Sequence, residues 1–210
     1  FFRNISALVV LIPLFLWRGT ELLRAAAPSL YGVRVLVSMA SMISWFYAIS
    51  LISIDEVTAI SFLAPLFGTL GAILVLGEKV RLRRWTALLV GFAGAMIMLR
   101  PGGSSFGIGH ACALVSALSG GFVSILLKQL TSRDDPDKIV FLTTLMMTPL
   151  SLVPALLVWK WPTAEMLPGL VVLALSAVAG HMCLTRAFRL IGASLVLTFE
   201  VSPPPFAGAL

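Results

Sequence analysis

Two titratable side chains stand in apolar surroundings near the end of the chain, His181 and Glu200. A carboxylate inside a membrane-spanning segment is costly and by default marks a solute path or a proton site. Glu200 lies about 9 Å into the last apolar segment if that helix begins near Ser194. His181 occupies the preceding segment, and the two residues are equidistant in sequence from the turn between them. Antiparallel neighbours place such positions at equal depth, and a histidine–glutamate pair there can hold or pass a proton near neutral pH. Two readings stay open at this point. The pair can share a proton, or Glu200 can be solvated at the cytoplasmic mouth while His181 bonds a backbone carbonyl.

Pro65 and Pro204 lie 139 positions apart in otherwise matching apolar segments. Matched interruptions of this kind point to a binding site near the bilayer midplane; the alternative is a plain kink absorbed by neighbouring helices. Trp45 sits in the middle of a segment, away from the headgroup zone where the other tryptophans fall. Ser61 shares a stripe with Thr58, Pro65 and Thr69. The candidate cavity is therefore lined by Trp45, Ser61, Pro65, His181, Glu200 and Pro204. Two further stripes, Cys112-Ser116-Gly120-Ser124 and Ser38-Ser41-Trp45, can face a cavity or let helices approach closely, the commoner use.

These residues need elements to hold them, and the composition says which. Hydrophobic residues make up 59% of the 210 and charged residues 11%, against roughly 25% in an ordinary soluble domain. Mean hydropathy is +1.03. Lipid must be the solvent for most of this surface. Eight apolar segments are predicted to span it: 1–17, 33–52, 57–76, 85–99, 107–127, 139–159, 167–185 and 193–210. None alternates strictly, which argues against a membrane β-barrel. Numbering the connections alternately puts 12 of the 15 basic residues on one side, which the positive-inside rule makes cytoplasmic. The net charge of +6 is thus an orientation signal and not a nucleic-acid footprint. Asp55 and Glu56 are expected to cap the following helix from outside. Phe1 and Leu210 both lie in apolar runs, so the chain reads as a piece of a longer protein. Cys112 and Cys183 read as packing residues rather than a disulfide or metal site.

The chain also repeats itself. Ala48-Ile49-Ser50-Leu51-Ile52 and Ala187-Phe188-Arg189-Leu190-Ile191 are 139 residues apart, the spacing of the two prolines. Weak symmetry in an apolar chain is a mark of repeat-built transporters.

The motifs Ala64-Pro65-Leu66-Phe67, Leu76-Gly77-Glu78-Lys79, Gly91-Phe92-Ala93-Gly94 and Leu99-Arg100-Pro101-Gly102 resemble the EamA family of the drug/metabolite transporter superfamily. Leu184-Thr185-Arg186-Ala187-Phe188-Arg189 and Ala193-Ser194-Leu195-Val196 extend the resemblance to the second half. The resemblance implies an all-α polytopic bundle of two inverted five-helix repeats. Eight of the ten helices would be present, with 1–104 lacking the first helix and 105–210 lacking the last. It makes Glu78 and Gly91 family-motif positions; physically, Glu78 reads as a turn former or ion-pair partner beside Lys79, Arg81, Arg83 and Arg84. Gly91 reads as helix packing. The run Pro203-Pro204-Pro205 departs from the first half, which has Pro65 alone, and should break its helix.

The function expected is a secondary transporter of small organic metabolites working by alternating access, proton-coupled or by exchange, in the inner or plasma membrane. The alternatives are a binder or flippase of lipid-like molecules and, more remotely, an intramembrane enzyme. Gly192-Ala193-Ser194-Leu195 is a weak match to the Gly-x-Ser-Gly turn of intramembrane serine proteases, because Leu195 replaces glycine and both His110 and His181 precede the serine. No His-Glu-x-x-His and no P-loop occur. The expected partners are a small-molecule substrate and the lipid bilayer, with a homodimer compatible. No catalytic residue, metal, cofactor or nucleic acid is expected.

Overall fold

The computed structural model describes residues 1–78, 82–99, 107–157, 159 and 161–200. It is helical throughout, and no strand occurs among the described residues. In chain order the helices are α1 (Phe2–Val10), α2 (Ile12–Arg18), a 3-10 turn (Gly19–Leu23), α3 (Pro28–Leu51), α4 (Ile54–Ser61), α5 (Leu63–Leu76) and α6 (Leu82–Leu99). Then follow α7 (Ile108–Thr131), α8 (Pro136–Leu157), a second 3-10 turn (Ala164–Met166), α9 (Leu167–Leu190) and α10 (Ala193–Glu200).

Six stretches among the described residues are long and apolar enough to cross a membrane: Phe2–Leu23, Pro28–Leu51, Ile54–Leu76, Ile108–Thr131, Pro136–Leu156 and Leu167–Leu190. Each matches a predicted segment. The two remaining predictions correspond to α6 and α10; the second half of the last one, including Pro203, Pro204 and Pro205, lies outside the described residues. Large apolar side chains face outward, with Leu74 and Leu190 each 83% exposed and Trp17 80%. Surfaces of that kind are stable only against lipid or another protein.

Local sequence explains where the helices start and break. Ser53 caps α4: its hydroxyl accepts the Glu56 N–H at 3.3 Å. Asp55 and Glu56 occupy the first turn, where negative charge suits the helix dipole. Pro13 falls at the second position of α2, where its missing N–H would have bonded back to Val9, and the chain turns at Leu11. Pro65 acts similarly. It removes the bond that would reach the Ser61 carbonyl, and the helix breaks between Ser61 and Leu63.

The chain forms two compact units, interleaved in sequence. The first comprises 1–35 and 129–190, the second 36–128 and 191–210. This division by packing differs from the bounds 1–104 and 105–210 expected from the resemblance. In the first unit α1 lies against α8 and α9, and α8 against α9. Ala7, Leu11, Leu22, Val140, Phe141, Ala174 and Val178 form its core, over which Phe15 stacks on Phe141 at 5.4 Å. In the second unit α10 packs on α5 and α6, and α4 on α5 and α6. Its core joins Ala48, Val57 and Ile60 to Ala113 and Ala117.

Two glycines make the α5–α7 contact possible. A Cβ on Gly121 would lie 2.7 Å from the Gly68 nitrogen and 2.8 Å from the Ala64 carbonyl oxygen. Both are backbone atoms, so no side-chain rotation could relieve the overlap. The neighbouring Gly120 has ordinary space, with the Ala64 Cβ at 3.6 Å.

Element bounds also repeat. The two 24-residue helices α3 and α9 begin at Pro28 and Leu167 and end at Leu51 and Leu190, each pair 139 positions apart. The starts of α4 and α10, Ile54 and Ala193, have the same separation.

Candidate functional site

In the second unit, Trp45, Ser61 and Pro65 belong to the helices that pack beside the break at Phe62. Trp45 is half-buried, packed against the core of Ala48, Val57 and Ile60, with its ring edge-on to Phe46 at 5.2 Å. Pro65 is buried, and Ser61 at the break donates its hydroxyl to the Val57 carbonyl at 2.8 Å. Thr58 and Ser124 make the same kind of back-bond, to Ile54 and Gly120. Those hydroxyls satisfy their own helices. Ser41 and Ser116 instead bridge two helices, each hydroxyl donating to the other's carbonyl at 3.0 Å. Thr69 is fully buried with its hydroxyl unpartnered. Glu200 is the last described residue of α10. Pro204 lies outside the described residues. Gly91 falls within α6. His181 belongs to the first unit, on α9.

Glu78 reaches beyond its own turn; Lys79 and Arg81, two of its expected ion-pair partners, lie outside the described residues. Gly77 ends α5 in the left-handed conformation at φ 66°, and the Glu78 N–H returns to the Ala72 carbonyl at 3.2 Å. That turn aims the carboxylate at the start of α10. One oxygen accepts the Ala193 N–H at 2.8 Å. The other accepts the Ser194 N–H at 3.1 Å and the Ser194 hydroxyl at 2.8 Å. Glu78 thus caps a helix more than a hundred residues away, meeting its positive dipole end and its unpaired donors together. Gly192 leaves room for this: a Cβ there would stand 3.0 Å from the carboxylate. Lys128 donates to the Ile191 carbonyl at 2.9 Å, bringing its ammonium to the same turn.

Burial pushes the Glu78 carboxyl up, but the hydrogen bonds from Ser194 and Ala193 and the Lys128 charge outweigh it and hold the group below its ordinary 4.5. A depressed carboxylate contributes stability that is complete above the unfolded-chain value and is lost as pH falls through the folded one. The gap in thermal stability between wild type and Glu78→Gln is therefore expected to be constant from neutral pH down to about 5 and to close below that. A gap that widened on acidification would contradict the clasp.

The first unit holds a second polar system, which the sequence did not disclose. Asn4 on α1 donates to the Ser151 hydroxyl at 3.0 Å, and both are buried. Thr144, Thr148 and Ser151 share one face of α8, and that i, i+4, i+7 spacing was the available signal. Arg34, on the second turn of α3, is 5% exposed and bonds the Thr143 hydroxyl through Nη1. Its Nε has no partner. His181 lies within the electrostatic reach of Arg34 and Arg3.

At one end of this unit, Arg18 bridges Asp135 and Asp137 at 3.4 Å, Arg186 binds Asp137 at 3.0 Å, and Arg189 binds Asp135. Hydrogen bonding from Arg189 holds the Asp135 carboxyl below its usual range. Arg18, Arg186 and Arg189, all assigned to one membrane side by the charge count, converge here. His110, in the second unit, faces Glu56 at 3.7 Å and accepts the Gly107 N–H on Nδ1 at 3.3 Å.

Among known proteins, the model of the EamA-like transporter family matches residues 1–100. The riboflavin transporter of Vibrio cholerae serotype O1 is 30% identical over 203 residues, covering 95% of this chain and 68% of that protein. The S-adenosylmethionine uptake transporter of Rickettsia prowazekii is 27% identical over 200 residues, with 95% and 68% covered. The pseudopaline exporter CntI of Pseudomonas aeruginosa is 29% identical over 205 residues, with 93% and 69% covered. A solved crystal structure superposes with a TM-score of 0.79 over 97% of this chain and 73% of that one, at 20% identity, a likeness of fold.

Proposed function

Because this chain belongs to the EamA-like transporter family, we propose that it moves a small organic metabolite across the membrane by alternating access, with a proton gradient or exchange as the driving force. It is a multi-pass inner-membrane transporter and not an enzyme. The observation that carries this reading is a likeness spanning nearly the whole chain to transporters of chemically different cargoes, a vitamin and a sulfonium nucleoside among them.

The architecture proposed is two inverted five-helix repeats, 1–104 and 105–210. Its support is the single offset of 139 residues that relates the bounds of α3 to those of α9 and the start of α4 to that of α10. A homodimer is compatible with it. The proposed solute path is lined by Trp45, Ser61, Pro65, His181, Glu200 and Pro204. Its support is the break at Phe62, where the interrupted helix frees backbone groups that only a cavity or protein can satisfy.

Cells expressing the full protein should accumulate labelled S-adenosylmethionine or riboflavin above cells lacking it, or deplete it if the direction is export. Proton coupling is tested by Glu200→Gln, which keeps size and hydrogen bonding. It should transport with a flat pH profile if the carboxylate is the coupling group. An unchanged pH profile would mean that Glu200 is only a solvated charge.

A further inference from the structure

Arg34 presents an unbalanced charge. A guanidinium has five N–H donors and stays protonated in proteins. Here it is enclosed at 5% exposure, one donor goes to the neutral Thr143 hydroxyl, and Nε–H meets no acceptor. Among the described residues no carboxylate lies within ion-pair distance. Asp134 comes to the same unit but is already engaged, by Lys138 at 3.0 Å, the Tyr31 hydroxyl at 3.2 Å and the Ala26 N–H at 3.0 Å. A buried ion without a counter-ion is strongly unfavourable, and an arginine near a helix end ordinarily extends to the interface instead.

We propose that Arg34 is the anchor for an oxyanion, a carboxylate or a phosphate, carried by the transported solute. This rests on the transporter reading above and narrows it to metabolites that bear a carboxylate or phosphate group, whatever their net charge. The planar fork suits such a group: Nε and an Nη can donate side by side to two oxygens of one carboxylate or phosphate. Thr143 on α8 fixes the plane of the fork through the remaining arm. Because Nε is enclosed, the proposal requires an opening motion that admits the anion, as alternating access would provide. A solute such as S-adenosylmethionine, with its amino-acid carboxylate, fits this requirement; riboflavin, which has no acidic group of that kind, does not.

The test uses the full protein in phosphatidylcholine nanodiscs, so that no anionic lipid competes. Thermal unfolding is followed while sodium acetate, or in a second arm inorganic phosphate, replaces sodium chloride at constant ionic strength. Wild type should be stabilised by one of the two oxyanions beyond chloride, and the more effective one names the group. Arg34→Gln should weaken the apparent affinity at least tenfold, about the worth of a charge-assisted pair, and Arg34→Lys should weaken it less. If Arg34→Gln does not fold, Thr143→Val, which releases the fork from its hydroxyl partner, should still lower the oxyanion affinity. Oxyanions no better than chloride for wild type, or an undiminished response in the variants, would overturn the proposal. Because the readout is binding, its failure leaves the transporter reading intact, and a failure of transport leaves the anion site intact.

Discussion

Replacing Gly121 with alanine should destabilise the protein by about 1–3 kcal/mol, while the same change at the adjacent Gly120 should leave it within about 0.5 kcal/mol of wild type. The added methyl at 121 would press on the Gly68 nitrogen, the Ala64 carbonyl and the Phe67 Cβ, all between 2.7 and 2.9 Å away. Backbone atoms cannot rotate aside, so α5 and α7 must separate. Separation of packed membrane helices loses dispersion contacts that lipid replaces poorly in a close glycine interface. At 120 the methyl would meet Ala64 Cβ at 3.6 Å, an ordinary contact. Gly121→Val should abolish folding altogether. Thermal unfolding in detergent, followed by size exclusion, separates the two positions. Equal tolerance at both would show that α5 and α7 do not meet along Gly121.

Glu78→Ala should reduce transport about tenfold or more while leaving a folded protein. The change removes three hydrogen bonds to the start of α10 and leaves two backbone donors without their acceptor. Loss of a helix cap costs about 1–2 kcal/mol, which a bundle of this size survives. The functional effect is larger because α10 leads to Glu200 while the clasp anchors its start to the end of α5, the helix that begins at the break beside Pro65. Gly192→Ala should reproduce the defect by pushing the carboxylate away. In a Glu78→Ala background, however, Gly192→Ala should add little, since the atoms it would strike are gone. Independent, additive losses would mean that Gly192 acts through something other than Glu78.

The order of elements was legible because apolar length and charge punctuate this chain strongly. An interruption at Pro65 followed from its missing donor, and acidic residues at the start of the next helix from Asp55 and Glu56; the structure begins that helix earlier, puts both in its first turn and gives the cap to Ser53. What stayed hidden depends on partners distant in sequence. Glu78 looked like a member of its own basic turn, yet the left-handed Gly77 directs it to residues 193 and 194. Arg34 was counted with the cytoplasmic charges at a segment's edge. In the structure α3 starts five residues earlier than the apolar run, at Pro28, which carries Arg34 into the interior. On α7 the stripe through Ser116, Gly120 and Ser124 was visible by period, but the closest backbone approach is made by Gly121, one residue off that stripe. Periodicity identifies a face; it does not say which partner reaches it or how closely.

Counterflow with purified full protein in liposomes tests the central claim most directly. Vesicles preloaded with unlabelled S-adenosylmethionine are diluted into a trace of the labelled compound, and vesicles preloaded with riboflavin are treated in parallel. A carrier working by alternating access should transiently concentrate the label inside in at least one pair, and Glu78→Ala should depress that peak. Label entering no faster than into protein-free vesicles, in both pairs and with both orientations of the protein present, would contradict the account.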